Sequence, residues 1–370
     1  MVNSLYIHIP FCKSICTYCD FAKLVGNPEM MEQYLLSLEA ELDFYRSTLT
    51  SVQTIHLGGG TPSALPLDLL ERLLEKIASL IDVKTVREFA IEANPNDVSP
   101  AFVALLKKYS IKRVSLGVES SHPKHLRAMN RSHTLEQTAD AVGLLQSQGI
   151  HNINLDFIYA WPKQTMDDLR KDVDYALALK PTHLSFYALI LEPKTILFHD
   201  YQKHQIELID EDTDADMYEY LLDRLPEAGY HHYEISNFAI KGFESKHNLA
   251  YWNLEEYLGI GMGAHSQVGQ TRFHNHASMQ KYLQSVNDKK SGVESEDPCD
   301  LVMETGLMGL RKTQGIHLNS VQERFGVDFL KQYPKLQDNI RDGLLEIVDN
   351  HLRLTRKGML LMNYVERSFI

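Results

Sequence analysis

The chain has 370 residues, of which 44% are hydrophobic and 23% charged, an ordinary composition for a globular protein with a sizeable core. Its formal net charge of −12 argues against nucleic-acid binding and against a polybasic membrane anchor. No apolar run is long enough to span a bilayer, the first residues do not form a secretory signal, and the four cysteines do not form a disulfide framework. The sequence therefore predicts a cytoplasmic protein.

Short apolar runs alternate with amphipathic stretches from the N-terminus to about residue 195, the pattern of repeated strand and helix units. Six such units in a row predict an α/β fold with a parallel sheet and right-handed crossovers, rolled into a TIM-like (β/α)6 barrel, complete or partial. A doubly wound open sheet is the alternative. The predicted strands are 5–9, 52–57, 88–92, 113–117, 152–158 and 183–189, and the predicted helices are 29–48, 66–80, 100–109, 134–148 and 166–179.

Three cysteines, Cys12, Cys16 and Cys19, stand close together directly after the first predicted strand. The spacing C-x3-C-x2-C supplies three thiolates, whereas a structural zinc site needs four protein ligands and no second pair lies at a usable spacing. A cluster in which one iron lacks a protein ligand fits better, because that iron can bind a substrate or cofactor. The alternative is three inert thiols, which is disfavoured in a loop bounded by charged residues.

Other unusual residues follow the remaining predicted strands. The run Gly58-Gly59-Gly60-Thr61-Pro62 follows the second strand, Glu92 closes the third, Glu119 follows the fourth and Asp156 lies in the fifth. Alone, the glycines could simply make a tight turn and the carboxylates could be solvated or paired. In a parallel barrel, however, the carboxyl ends of the strands meet at one rim, where such barrels carry their chemistry. The sequence therefore predicts one site at that rim.

Several segments resemble the radical SAM superfamily, and within it the HemN/HemW branch related to oxygen-independent coproporphyrinogen III oxidase. They are 6–12, 58–63, 92–95, 115–120, Arg131, 154–165 and 189–195. The resemblance covers almost the whole chain. It implies that Cys12, Cys16 and Cys19 hold a 4Fe-4S cluster whose open iron chelates S-adenosylmethionine. The implied S-adenosylmethionine contacts are Tyr6, Gly59, Gly60, Thr61, Glu92, Glu119, Arg131 and Asp156. The branch usually has Gln where Glu119 stands, and Gly-Leu-Pro where this chain has Ala-Trp-Pro at 160–162.

Two features distinguish the subgroups of this branch. The oxidase has a further cysteine where this chain has Phe21, and the heme chaperone subgroup has an HNxxYW motif, which this chain reproduces at 247–252. The resemblance implies His247 as an axial heme ligand, and helical spacing would place it on one face with Tyr251, beside Trp252. Without the resemblance these would be read as core residues. Further candidate ligands are His231, His232, His265, His274 and His276.

The composition changes after about residue 295. Residues 291–298 are interpreted as a polar linker, followed by predicted helices at 301–311, 318–325 and 328–345, an apolar alternation at 345–354 and a last helix from 355. This order suggests a small, mainly helical, winged-helix-like domain. Its ten Lys or Arg against nine Asp or Glu leave no basic stripe, which favours a lid or interaction module over DNA binding. The predicted domains are a barrel core at 1–195, an extension carrying the HNxxYW motif at 196–295, and a C-terminal domain at 296–370.

Three functional hypotheses follow. The first is a heme chaperone that takes up heme and delivers it to heme-accepting proteins, at the cytoplasmic membrane surface and as a homodimer, without nucleic acid. The second is an enzyme of the coproporphyrinogen III oxidase type, which decarboxylates propionates by a 5'-deoxyadenosyl radical. The third is a structural metal-binding module. Phe21 separates the first from the second, and the convergence of residues on one rim speaks against the third.

Overall fold

Strands and helices alternate over the first half of the chain. A computed structural model describes residues 2–369, so the terminal residues of the first and last predicted domains, 1 and 370, lie outside it. All six predicted strands and all five predicted helices are confirmed, with small differences at their ends, and a short helix, α4, was not predicted. The strands are β1 (Ser4–Ile9), β2 (Thr54–Gly59), β3 (Glu88–Ala93), β4 (Arg113–Glu119), β5 (Asn152–Tyr159) and β6 (His183–Ala188). The helices are α1 (Pro28–Phe44), α2 (Leu67–Leu80), α3 (Pro100–Lys108), α4 (Pro123–Ala128), α5 (Leu135–Ser147) and α6 (Met166–Ala178).

Local sequence signals explain where these helices begin and which face they bury. Thr134 and Thr165 each cap a helix through a reciprocal capping box, which satisfies backbone N–H groups that the first turn leaves free. Helix α2 buries one stripe of its surface against the sheet, made of Leu69, Leu70, Leu73, Leu74 and Ile77. This spacing is the apolar face of an amphipathic helix, so hydrophobic burial fixes the helices on the outside of the sheet.

The order of the strands decides between the two predicted architectures. Strands β1 to β6 each pair in parallel with the next strand along the chain, without the reversal of order that a doubly wound sheet requires. The edges β1 and β6 do not pair with each other, because each is covered by a strand from later in the sequence. The fold is therefore a partial (β/α)6 barrel, as predicted.

Residues 196–298 extend the sheet at both of its edges. Next to β6 lie β8 (Asn237–Ala239) and β7 (His231–Glu234), preceded by α7 (Ile196–Gln202) and α8 (Glu211–Glu227). Next to β1 lie β9 (Tyr257–Ile260), β10 (His265–Val268), β11 (Thr271–Asn275) and β12 (Val293–Pro298), with α9 (Lys246–Trp252) and α10 (Met279–Lys289). We call β9 to β12 the second wall.

The interpretation of residues 291–298 as a linker was wrong, because most of this segment forms β12, paired antiparallel with β11. Its polar residues are those of an edge strand, where charged side chains protect exposed backbone groups from pairing with other chains. An edge strand and a linker therefore share a polar composition.

A buried carboxylate fastens the second wall to the barrel. Glu41 of α1 has no exposed surface, and its two oxygens accept hydrogen bonds from four donors. Oε1 accepts from Asn275 Nδ2 and Gly292 N, each at 2.9 Å, and Oε2 accepts from Gly261 N at 2.9 Å and Tyr282 Oη at 2.7 Å. Burial raises the pKa of Glu41, and these donors oppose that rise. Since the donors come from four segments between β9 and β12, one side chain sets the position of the second wall beside β1.

The C-terminal region has its own hydrophobic core and a three-stranded antiparallel sheet in the order β13, β15, β14. The strands are β13 (Ile316–His317), β14 (Leu345–Val348) and β15 (His351–Leu354). The helices are α11 (Leu301–Gly309), α12 (Leu318–Phe325), α13 (Phe329–Gln332), α14 (Leu336–Arg341), α15 (Arg356–Leu360) and α16 (Met362–Glu366). The predicted order of helices and a hairpin is therefore present.

One predicted helix of this region, 328–345, was wrong in its extent. The structure divides it into α13 and α14 at Tyr333 and Pro334, because proline lacks a backbone N–H and disfavours helical geometry in the residue before it. The turn between β14 and β15 is made by Asp349 and Asn350, both with positive φ, which is the geometry of a tight hairpin. Within residues 2–369, no helix has the length and apolarity needed to cross a membrane.

Candidate functional site

The residues predicted to form one site lie at one end of the barrel. The cysteine loop leaves β1, the glycine run ends β2, Glu92 lies near the end of β3, Glu119 ends β4 and Asp156 lies in β5. We call this end of the barrel the rim. Parallel strands bring these positions together although they are far apart in the sequence.

The cysteine loop is held at its base and surrounded by donors. Cys12 N donates to Leu24 O at 3.0 Å and Leu24 N to Pro10 O at 2.8 Å, which closes the loop. The Thr61 hydroxyl lies 3.5 Å from Cys12 Sγ, and Arg131 Nη1 lies 3.7 Å from Cys16 Sγ. Burial raises the pKa of the Cys19 thiol to about 11, so the free loop carries a protonated thiol there that must lose its proton to bind metal.

This donor set fits an iron–sulfur cluster. Three partly exposed, unbridged thiols lie on one loop, and positively charged and hydroxyl donors point at two of the sulfurs. Among residues 2–369, no three His, Cys, Asp or Glu side chains are grouped so as to hold a single metal ion. A four-iron cluster does not require such a group, since each thiolate binds a different iron.

The glycine run packs the rim tightly. Gly59 has a φ of +111°, and a Cβ at Gly60 would come within 2.7 Å of the Pro10 backbone, so neither position tolerates a larger residue. The N–H groups of 59–61 are already used, since Gly60 donates to Ile9 O, Thr61 to Phe11 O and Gly59 to Glu92. What this segment can offer a ligand is therefore carbonyl oxygens, which suit an amino group.

The two acidic residues inside the rim are held by different donors. Glu92 accepts from Gly59 N at 3.1 Å and lies 2.9 Å from His56 Nε2, yet its side chain is 38% exposed. Asp156 accepts from Ser115 Oγ at 2.6 Å and Asn154 Nδ2 at 2.8 Å. Burial raises the pKa of Asp156, and these neutral donors oppose the rise without neutralising a charge. Both carboxylates are thus fixed in place and available to a positively charged ligand.

Glu119 differs from the other acidic residues in its titration. It has a φ of +65° where β4 ends, and its Oε1 lies 3.9 Å from Arg131 Nη1. Burial raises the pKa of Glu119 to about 7; Arg131 opposes this rise and Asp156 adds to it. A carboxyl group that is partly protonated near neutral pH can donate a hydrogen bond, as the amide of glutamine does. The departure from the usual glutamine is therefore smaller than the difference in formal charge suggests.

Two buried nitrogens, one at the rim and one in the barrel interior beside Glu92, indicate a missing partner. Arg131 Nε and His56 Nδ1 have no hydrogen-bond partner within residues 2–369. Buried polar atoms are normally satisfied, so such atoms beside a site are expected where a ligand completes it. Together with the carboxylates and carbonyl oxygens, they fit a cofactor that carries a sulfonium charge, an amino group and a carboxylate. His56 was missed by sequence reasoning, although it alternates with Thr54 and Gly58 on the inner face of β2.

The HNxxYW motif forms helix α9, which lies at the opposite end of the barrel. The Glu88 carboxylate accepts from Lys246 N at 3.1 Å and His247 N at 3.0 Å, and Glu88 is the first residue of β3. His247 Nδ1 lies 2.8 Å from the hydroxyl of Thr54, the first residue of β2. We call this end the floor. Helix α9 therefore closes the barrel on the side away from the cysteine loop.

His247 is fully engaged at the floor. Its Nε2 lies 2.8 Å from Tyr251 Oη, which confirms that the two side chains share a face. The residue is 1% exposed, and its ring stacks on that of His56 with centroids 5.2 Å apart. Both ring nitrogens are hydrogen-bonded, so heme ligation by His247 stays a prediction that requires one of these bonds to break. The Trp252 ring contacts the Arg311 guanidinium at 5.0 Å, and so α9 also meets the C-terminal region.

The other candidate histidines fall into two places. His231 and His232 lie on β7; the His232 ring stacks on Phe238 at 4.6 Å, and burial lowers the pKa of His232 to about 4. The remaining three, His265, His274 and His276, come together on the second wall.

The chain is similar to known proteins along its whole length. Residues 6–176 match the family model described as the radical SAM superfamily, and residues 297–361 match the HemN C-terminal domain. The heme chaperone HemW of Lactococcus lactis is 39% identical over 100% of this chain and 97% of its own length. The HemW of Bacillus subtilis is 35% identical over 100% and 99%, and that of Escherichia coli 30% identical over 99% and 98%. The chain belongs to the HemW family.

A solved structure shows the same fold. The superposition on coproporphyrinogen III oxidase (HemN) from Escherichia coli covers 100% of this chain and 90% of the oxidase chain, with a TM-score of 0.85 and 22% sequence identity. Membership of the HemW family and the radical SAM superfamily implies a 4Fe-4S cluster and S-adenosylmethionine, and the donor groups at the rim fit both.

Proposed function

We propose that this chain is a heme chaperone built on a radical SAM scaffold, which binds heme and transfers it to heme-requiring proteins. The observation that carries the proposal is the full-length relationship to heme chaperones HemW, across both the barrel and the C-terminal region. The alternative, a coproporphyrinogen III oxidase, shares the fold, but at 22% identity that likeness concerns the fold alone.

The second residue after the cysteine motif also favours the chaperone. Phe21 stands where the resemblance places a further cysteine in the oxidase, and it is 63% exposed. An exposed aromatic ring offers a flat apolar surface, and a porphyrin is a flat apolar partner for such a ring. The fourth cysteine of the chain, Cys299, follows β12 on the second wall and is not part of the loop.

At the rim, Cys12, Cys16 and Cys19 would hold the 4Fe-4S cluster. The residues proposed to contact S-adenosylmethionine are Tyr6, Gly59, Gly60, Thr61, Glu92, Glu119, Arg131 and Asp156. When bound, the cluster supplies an electron and an open iron to the cofactor. The chain's own residues have separate roles: Glu92 and Asp156 attract positive charge, the glycine carbonyls accept from an amino group, and Arg131 balances thiolate and carboxylate charge between Cys16 and Glu119.

The partners follow from this function. Heme-accepting proteins are the expected recipients, and we propose that delivery takes place in the cytoplasm, at the membrane surface, with a homodimer as the working form. The net charge of −12 supports protein recipients over nucleic acid and limits electrostatic attraction to anionic lipid. Recognition of a recipient at the membrane would therefore depend on protein contacts.

The test combines heme binding with an enzyme assay. Hemin is titrated into the reconstituted protein and followed by absorbance, and the same preparation is incubated anaerobically with coproporphyrinogen III, S-adenosylmethionine and a reductant. We expect stoichiometric heme uptake and no protoporphyrinogen. Phe21→Cys serves as a matched variant for the position that separates the subgroups. Robust protoporphyrinogen formation by the wild type, without heme uptake, would refute the chaperone.

A further inference from the structure

Three histidines and a glutamate gather on the second wall. Strands β10 and β11 pair His265 directly with His274, and their rings stack with centroids 5.2 Å apart. Glu294 of β12 contacts two histidines: its Oε1 lies 3.2 Å from His276 Nδ1, and its Oε2 lies 3.7 Å from His274 Nε2. We call these four residues the histidine patch. None of them has a role in the site at the rim.

The histidine patch lies on the face of the sheet that continues the barrel interior. Strand β9 runs parallel to β1 and places Gly259 beside Tyr6, whose side chain points into the barrel at His8 and His56. The β9 to β10 register pairs Gln267 with Tyr257, two residues before Gly259, and His265 lies two residues before Gln267 on β10, so it shares the face of Gln267. Directly paired residues share a face, so the ring of His265 extends the lining that Tyr6 begins.

The histidine patch also adjoins the cysteine loop. His276 O accepts a hydrogen bond from Gly263 N at 3.0 Å. Gly263 packs against Ala22, since a Cβ added to this glycine would lie 2.9 Å from the Ala22 Cβ. The exposed Phe21 is the neighbour of Ala22 in the chain. The structure thus brings an exposed aromatic ring and a set of imidazoles to the same side of the molecule.

Of the three histidines, His265 is the one that is exposed. Its ring nitrogens have no hydrogen-bond partner among residues 2–369. The Nδ1 atom of His276 also lacks such a partner, but this atom is buried. His274 Nδ1 is already 3.0 Å from the Ser295 hydroxyl. Partial burial and the neighbouring His274 lower the pKa of His265, which favours its neutral imidazole. A neutral imidazole with a free nitrogen is the form that binds iron.

The geometry favours heme over a bare metal ion. The described residues hold no group of three ligating side chains placed for one ion, the histidine patch included. In heme the porphyrin supplies four nitrogen ligands, so a single imidazole is enough to fix the iron, and the macrocycle needs apolar surface. The rings of His265 and His274 stack on each other, so a porphyrin does not lie between them. This arrangement suits one axial ligand with a histidine neighbour, not two ligands on opposite faces of a porphyrin.

We propose that His265 is the axial ligand of the heme iron, and that the porphyrin lies over β10 and β11 towards Phe21. This site rests on the proposed heme chaperone function and places its cargo on the second wall beside the rim, not at the floor. His274 and Glu294 are positioning residues: His274 stacks on the ligand, and Glu294 holds His274 and His276 in place.

The test is hemin titration of the full-length protein by Soret absorbance. The variants are His265→Ala, His265→Met, the double variant His265→Ala/His274→Ala, His247→Ala, and His231→Ala as a matched control. His231 is a histidine with a 64% exposed side chain on the far edge strand of the same sheet. Far-UV circular dichroism confirms that each variant is folded.

We expect His265→Ala to lose the imidazole-ligated spectrum and at least tenfold in hemin affinity, and His231→Ala to match the wild type. His265→Met should give a spectrum with thioether ligation, which a merely structural role for His265 would not produce. If the hemin titration of His265→Ala matches that of the wild type, the proposal is overturned. This holds even if the double variant loses heme, because loss only in the double variant assigns the ligand to His274. Loss of the imidazole spectrum in His247→Ala alone also overturns it. If the wild type itself takes up no hemin, the chaperone function fails first.

Discussion

The rim and the floor of the barrel use their polar side chains in opposite ways. At the floor, His247, Tyr251 and Thr54 bond to one another in a buried cluster that leaves no ring nitrogen of His247 free. At the rim, Glu92 and Asp156 are fixed by hydrogen bonds and remain open to a ligand. A motif of histidine and tyrosine therefore does not by itself mark a ligand site; what matters is whether its polar atoms are already used.

The largest effect should come from the cysteine loop. Cys16→Ala removes one of three thiolates, so the variant is expected to lose the iron cluster completely. Cys299→Ala, which changes the cysteine on the second wall, is the control and should bind iron as the wild type does. Iron and acid-labile sulfide are measured after anaerobic reconstitution. One zinc per chain in the wild type, in place of iron, would show that the loop is not a cluster site.

The floor is tested by stability. His247→Ala leaves Thr54 and Tyr251 without their buried partner and opens a cavity, so we expect the free energy of unfolding to fall by about 3 kcal/mol. The exposed His231→Ala should change it by less than about 0.5 kcal/mol. Urea denaturation measures both variants. If the His247→Ala protein is as stable as the wild type but no longer takes up heme, His247 is a heme ligand. The floor would then bind a ligand as the rim does, which contradicts the comparison.

At the rim, isosteric changes should weaken ligand binding without loss of stability or iron. Asp156→Asn and Glu92→Gln each remove a negative charge from the proposed S-adenosylmethionine site, and each should weaken its affinity by roughly tenfold, the value of one hydrogen bond to a charged group. The exposed Asp167→Asn is the control. Equilibrium dialysis on the reconstituted proteins measures the affinity. Unchanged binding in both rim variants would place the cofactor elsewhere.

The smallest effect concerns Glu119. Because the pKa of Glu119 is raised to about 7 by burial, its carboxyl loses its proton as pH rises from 6 to 8. The protonated form resembles glutamine, so S-adenosylmethionine should bind a few times more tightly at pH 6 than at pH 8, and Glu119→Gln should remove this dependence. The folded state holds this proton more tightly than the unfolded chain, so the contribution of Glu119 to stability falls as pH rises from about 4.5 to 7. A dependence that persists in Glu119→Gln would assign it to another group.

The sequence predicted the barrel well and the second wall poorly. The strands of the barrel carry continuous apolar runs with polar residues at their ends, and both signals are local. The register between β10 and β11 that joins His265 to His274 depends on long-range pairing, and so does the parallel contact of β9 with β1. Their proximity could not be read from spacing along the chain.

The same distinction applies to the site residues. Glu92, Glu119 and Asp156 were found because they interrupt apolar strands near their ends. His56 was missed because one histidine in a strand has no sequence signal that separates it from an ordinary inward residue. The linker at 291–298 was wrong because an edge strand is as polar as a loop. Within the predicted helix 328–345, Pro334 indicated a break, but the apolar periodicity on both sides favoured one continuous helix.

The central claim, that this protein hands heme to a recipient, is tested most directly by the kinetics of transfer. The heme-loaded protein is mixed with increasing concentrations of a heme-depleted b-type cytochrome, and the transfer rate is followed by absorbance. A chaperone that contacts its recipient should give a rate that rises with recipient concentration, faster than heme loss to apomyoglobin as a passive trap. A rate that is independent of recipient concentration and equal to passive loss would contradict the account.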